Sequence, residues 1–221
     1  MTKEPFDIDR ALDDIRDAVR PFPKAAMFEL AERGYSTPFH QLVACMISIR
    51  TRDEESLPIS QRLFEAAPTA QAVAEMTPEQ IATLIRPATF YERKAVQIQA
   101  VARRVEEEFD GDLPCDETVM RSFSGVGVKC ANLTLGIACS QPVISVDIHV
   151  HRICNRWGYV ATTTPERTHD ALLAILPEQH RVEINALLVP FGKHICTGVA
   201  PKCSMCPVEA MCRQVGVTSH R

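Results

Sequence analysis

Four cysteines near the end of the chain are the residues best spaced to do chemistry together. They run Cys196-x6-Cys203-x2-Cys206-x5-Cys212, with Pro201 and Pro207 in the stretches between them. Isolated core cysteines would not crowd into a polar, turn-rich tail. Soft thiolates select zinc or an iron–sulfur cluster. Zinc sites more often pair two short C-x2-C knuckles, and only one short spacing is present. Stretches of six and five suit a larger cubane, so the spacing favours a 4Fe-4S cluster held by Cys196, Cys203, Cys206 and Cys212, with zinc as the other option.

A second group lies upstream, in Ser124-Gly125-Val126-Gly127-Val128-Lys129. Gly125 and Gly127 flank the small apolar Val126, which permits a tight turn and close approach of the backbone to another molecule. A helix beginning there would aim its unpaired amides and positive dipole end at the turn, an arrangement that binds phosphate. Lys129 falls in the first turn of that helix. An amine with an ordinary pKa of about 10.4 is a nucleophile only when neutral. A helix N-terminus and partial burial both disfavour the cation, so Lys129 is a candidate reactive amine. Asp147 follows the extended Val143-Ile144-Ser145-Val146 and precedes another helix. It can cap that helix, and its carboxylate can also steady a developing cation or take a proton from the lysine. The two roles are compatible.

Helices must position these groups, because apolar residues recur at helical spacing along nearly the whole chain. Ile8, Leu12, Ile15 and Val19 form one stripe behind a cap at Asp7. Thr37-Pro38, Thr77-Pro78 and Thr164-Pro165 each place a capping threonine before a first-turn proline. A helix over 92–109 stops near Gly111; a short one follows over 116–123, then 128–139. Further helices are expected over 148–157, 165–176 and 179–195, with a last turn near 206–213. Only Pro142 to Val146 reads as extended, too short to found a sheet. The expected fold class is all-α.

The chain has 221 residues, 46% of them apolar, enough to bury a core. Residues 1–17 carry six acidic groups and no apolar run, which argues against an export signal, and no apolar stretch is long enough for a membrane span. A cytoplasmic, monomeric protein without membrane contact is expected. Nine cysteines then suggest metal binding or burial rather than a disulfide framework. Cys45, Cys115, Cys130, Cys139 and Cys154, scattered among apolar neighbours, are expected to be buried small hydrophobes. The net charge of −4 is polarised: residues 1–119 hold 14 Lys/Arg and 22 Asp/Glu (net −8), and residues 120–221 hold 10 and 6 (net +4). Phosphate attraction depends on the local field, so nucleic-acid binding is permitted.

Together these motifs resemble the endonuclease III family of helix-hairpin-helix DNA glycosylases. Its L-P-G-V-G-x-K-T-A-N hairpin is similar to Phe123 through Asn132, its V-D-T-H motif to Val146-Asp147-Ile148-His149, and its cluster loop to the four cysteines. The resemblance runs from about Pro38 to Cys212. It implies a six-helix barrel domain over 31–141, with the helix-hairpin-helix at about 116–139, and a cluster domain formed by 1–30 and 142–221. It also implies double-stranded DNA carrying a damaged base or abasic site as the partner, the target nucleotide being flipped out for reaction. Lys129 would attack C1′, expel the base and form a Schiff base, with β-elimination cutting the strand. Asp147 would activate Lys129 or stabilise the sugar cation. Oxidised pyrimidines such as thymine glycol are the implied substrates. Arg50, Phe90, Gly125, Val126, Gly127 and Lys202 would contact DNA, and the cluster would be structural.

The chain also departs from the family pattern. Arg50 occupies a slot usually held by glutamine, where it could pair with an orphaned guanine or adenine, or crowd the pocket. Thr89-Phe90-Tyr91-Glu92-Arg93-Lys94-Ala95 lacks the glycine of the wedge motif. Ser124 replaces a proline and Ile148 a threonine. Fewer basic residues in the cluster loop should weaken phosphate attraction. These changes keep open a glycosylase of altered mismatch specificity and a non-catalytic iron–sulfur damage sensor, besides an unrelated zinc protein.

Overall fold

The computed structural model describes residues 3–221, and every regular element among them is a helix. The chain divides into two compact units, residues 26–143 and a second built from the residues up to Ala25 together with 144–221. The expected boundaries lay at 30/31 and 141/142. Helix α2 belongs with the 26–143 unit because Ala26, Met27 and Leu30 are buried in that unit's core. Among the described residues no helix is long and apolar enough to cross a membrane.

In the second unit, α1 (Ile8–Val19) starts at Asp7, whose side chain accepts from the Arg10 amide, and buries Ile8, Ala11, Leu12, Ile15 and Val19. The 26–143 unit comprises α2 (Ala26–Glu32), α3 (Pro38–Ser48), α4 (Asp53–Ala66), α5 (Ala70–Glu75), α6 (Pro78–Ile85), α7 (Tyr91–Phe109), α8 (Glu117–Arg121) and α9 (Val128–Cys139). The second unit resumes with α10 (Ile148–Trp157), α11 (Pro165–Ile175) and α12 (Glu183–His194), with short 3-10 turns at Glu178–His180 and Cys203–Met205.

Thr37, Thr77 and Thr164 each accept the amide three residues on, and proline opens each helix. At Thr77 the bond is reciprocated, since Gln80 accepts from the Thr77 amide. Helix α7 ends where Asp110 and Gly111 both turn left-handed. Three helices had no sequence forecast: α2, α4 and α5. No side chain caps α4 and it carries Pro58 internally, so the usual start signal is missing and a breaker is present.

The last turn expected near 206–213 is present as a run of turns, in which the Cys212 amide reaches the Val208 carbonyl at 3.0 Å. One expectation is corrected. Of the five scattered cysteines, Cys45, Cys130 and Cys154 are buried, but Cys115 and Cys139 are joined in a disulfide. Cys115 is exposed and Cys139 half-buried, at the two ends of the segment holding α8 and α9, so burial was the wrong reading for both.

Candidate active site and cysteine centre

The turn between α8 and α9 is built as its glycines suggest. The Val126 amide donates to the Phe123 carbonyl at 3.2 Å, and Gly125 has φ +90°, a left-handed conformation that side-chain-bearing residues rarely adopt. A Cβ on Gly125 would also meet the side chain of Gln97 at 2.7 Å, so α7 lies directly against the turn. The Val126 side chain is buried in the core, leaving only its backbone to face a ligand. Gly127 precedes α9 with extended backbone and no side-chain cap. The amides of the first turn of α9 therefore form an anion-binding end, with exposed Lys129 in that same turn. Next to it, Cys130 turns inward, its sulfur 2.6 Å from that of Cys45 on α3.

Arg50 and Phe90 occupy two loops of the same unit, and both are left-handed, with φ 57° and 58°. The Arg50 guanidinium lies 5.9 Å from the centre of the Phe90 ring, which is 59% exposed. Met46, Ile49, Arg50, Phe90, Arg93, Lys94, Gln97 and Gly125 line a single pocket of about 260 Å³. The fold thus brings three of the forecast DNA-contacting residues, Arg50, Phe90 and Gly125, to one concavity. Thr51, Thr89, Lys94 and Gln97, which hold these loops, received no role from the sequence. Lys94 stood within the wedge-like motif, but nothing in the motif says that its side chain turns inward.

Asp147 lies in the other unit, where it caps α10. Its Oδ1 accepts from the amides of His149 at 2.8 Å and Val150 at 2.9 Å, and the residue is half-buried. Both cap bonds end on Oδ1, so the cap does not commit Oδ2. Arg152, on the same helix, donates to the carbonyls of Gly192 and Cys196 at 3.0 and 3.1 Å. Burial lowers its pKa from the ordinary guanidinium value.

One turn further along α10, Arg156 organises the start of the cysteine-rich tail. It donates to the Thr197 carbonyl at 2.5 Å, to the Gly198 carbonyl at 2.7 Å and to the Cys196 sulfur at 3.5 Å. The Gln214 amide donates to the Cys212 sulfur at 3.4 Å. Cys196, Cys203, Cys206 and Cys212 all line one small cavity of about 20 Å³. Lys202 also borders it, and its amide closes the loop onto the Ile195 carbonyl at 3.0 Å. Among the described residues no three or more His, Cys, Asp or Glu side chains are gathered as a single metal ion would need. The donor set nevertheless fits a cluster, with four soft sulfurs facing one cavity and N–H groups directed at two of them. Burial pushes the Cys206 thiol up to about 12 and raises Cys203 and Cys212 too.

Residues 43–178 match the model of the HhH-GPD superfamily, base excision DNA repair proteins. Endonuclease III of Thermotoga maritima is 36% identical over 197 residues, covering 89% of each chain. The chain belongs to the endonuclease III family. The Escherichia coli endonuclease III is 30% identical over 181 residues, covering 82% of this chain and 86% of its own. Among solved structures, a trapped covalent endonuclease III–DNA intermediate with an estranged adenine superposes with a TM-score of 0.81 at 26% identity, covering 94% of both chains. A non-covalent endonuclease III–DNA complex gives 0.75 at 25%. A thermostable thymine-DNA glycosylase, at 18% identity and a TM-score of 0.73, shares the fold.

Proposed function

We propose that Lys129 is the nucleophile and Asp147 its partner in the removal of oxidised pyrimidines, such as thymine glycol, from duplex DNA. As a member of the endonuclease III family the protein is a base excision repair DNA glycosylase and AP lyase. The observation that carries the residue assignment is the uncapped start of α9, where a tight glycine turn and exposed Lys129 share one helix end. Amides there hold a DNA phosphate and thereby bring the adjacent sugar to the lysine.

The neutral Lys129 amine attacks C1′ as the C1′–N bond breaks and the base leaves. Asp147 takes the amine's proton or steadies positive charge on the sugar. Loss of the remaining amine proton and ring opening give a Schiff base between Nζ and C1′. Removal of a C2′ proton then expels the 3′ phosphate and cuts the strand. Cys196, Cys203, Cys206 and Cys212 would hold a 4Fe-4S cluster, which supplies a structural clamp on the loop carrying Lys202. Lys202, Gly125 and Gly127 contact phosphate, while Arg50 and Phe90 fill the gap left by the flipped nucleotide.

The test is incubation of the protein with duplexes holding thymine glycol, dihydrouracil, an abasic site or undamaged thymine, with borohydride present. Covalent adducts on the oxidised duplexes support the proposal. An adduct on the abasic duplex alone would remove the substrate assignment and leave the lyase.

A further inference from the structure

No glycine follows α3 to cap its last carbonyls. A lysine from another helix does this instead. Lys94, one turn into α7 and only 5% exposed, donates from Nζ to the Ile47 carbonyl at 2.6 Å, the Ile49 carbonyl at 2.7 Å and the Thr51 hydroxyl at 3.3 Å. Thr51 Oγ1 also accepts from the Thr89 amide at 3.1 Å, and Thr89 Oγ1 donates to the Arg50 carbonyl at 2.8 Å. The loop carrying Arg50 is thereby welded to the loop carrying Phe90.

Both presented residues are left-handed without being glycine, a conformation that persists only where the surroundings enforce it. Here the enforcing bonds converge on one ammonium group, held by two carbonyls and a hydroxyl rather than by a carboxylate. Burial of that ammonium brings its pKa down to about 8. Phe90 immediately precedes α7, and Lys94 and Gln97 fall on one face of that helix at a spacing of three residues. Gln97 Nε2 donates to Ser124 Oγ at 3.2 Å and packs on Gly125. A single helix face thus sets the Arg50 and Phe90 rim and the phosphate-binding turn around one pocket.

We propose that Lys94 is a positioning residue that holds Arg50 and Phe90 in the geometry required to occupy the gap left by a flipped nucleotide. This rests on the reading of Arg50 and Phe90 as DNA-contacting side chains. Lys94 touches no DNA itself; it acts through the 47–51 carbonyls and Thr89.

The experiment compares Lys94→Met, Thr89→Val, Arg50→Ala and Phe90→Ala with the unaltered protein. One readout is the KM and kcat on a thymine glycol duplex. A second is lyase turnover on a single-stranded abasic oligonucleotide, which has no gap to fill. The third is the fluorescence of 2-aminopurine opposite the lesion, which reports entry of side chains into the stack. Lys94→Met should raise the duplex KM about tenfold or more and abolish the fluorescence change, with single-strand turnover within about twofold. Thr89→Val keeps the Thr89 amide bond to Thr51 and should show a weaker form of the same pattern. It decides the matter if Lys94→Met fails to fold. Lys94 or Thr89 variants with normal duplex KM and fluorescence, beside impaired Arg50→Ala and Phe90→Ala, would overturn the positioning role alone. Unchanged duplex kinetics in Arg50→Ala and Phe90→Ala would instead overturn the reading beneath it.

Discussion

Asp147 combines an observed helix cap with the catalytic role proposed for it. Its Oδ1 accepts from two amides of α10, so a test of the proposed catalytic role must leave the cap intact. Asparagine separates them, because it caps as well as aspartate but cannot accept a proton or balance a cation. Asp147→Asn should melt within a degree or two of the unaltered protein yet lose about 10²- to 10⁴-fold in base release. Normal base release would confine Asp147 to capping. Lys129 makes the complementary case, since it is exposed in the first turn of α9. Lys129→Gln should bind abasic duplex with affinity reduced by no more than one lost phosphate contact, and borohydride should trap none of it. Trapping at normal yield would assign the nucleophile elsewhere. The Asp147 cap and the glycine turn before Lys129 were legible in the sequence because both leave local signatures. Lys94 was not, since its three acceptors lie more than 40 residues away and no local pattern announces them.

Among the elements, threonine–proline starts were readable, whereas α5 was not, although Thr69 caps it by accepting from the Ala72 amide. The Thr-Pro starts of α3, α6 and α11 and the glycine-bounded α9 stand where the spacing put them. Helix α5 is only six residues long, too short for periodicity, and is secured by burying Ala70 and Val73. In the cysteine tail the expected last turn is held in place by Val208 and Met211, which are buried in the core of the second unit. The Cys115–Cys139 bridge was invisible because pairing depends on where α8 and α9 bring the two residues. They lie 24 residues apart and bracket the hairpin. Closing a segment of that length restricts the unfolded chain by about 2–4 kcal/mol. The double variant Cys115→Ser/Cys139→Ser, or mild reduction of the protein, should therefore lower stability by that order and increase amide exchange across α8 and α9. Unchanged exchange there would mean the bridge does nothing for the hairpin.

At the scale of the molecule, the second unit joins chain segments far apart in sequence. Phe6 packs on Trp157 with ring centres 5.1 Å apart, the Glu4 amide donates to the Ala210 carbonyl at 3.1 Å, and Lys3 pairs with Glu209 at 2.6 Å. The N-terminal segment thus depends on the cysteine tail. Cys203→Ser, which would remove one ligand of the proposed cluster, should expose that segment to protease while α3 to α7 of the other unit stay protected; uniform resistance would argue against a structural cluster. A second tie is charged. His180, 7% exposed, sits between Asp9 of α1 and Glu183 of α12, each at 2.6 Å from one ring nitrogen. Burial pulls its pKa down, but the two carboxylates outweigh it, and the net position is above the ordinary 6.5. A histidine more basic when folded than when unfolded stabilises the fold fully below about pH 6.5, and that contribution fades as pH rises through the folded pKa. The melting advantage of the unaltered protein over His180→Gln should be largest near pH 6 and shrink steadily toward about pH 9. A difference independent of pH would mean that His180 stays neutral and contributes only its packing and hydrogen bonds.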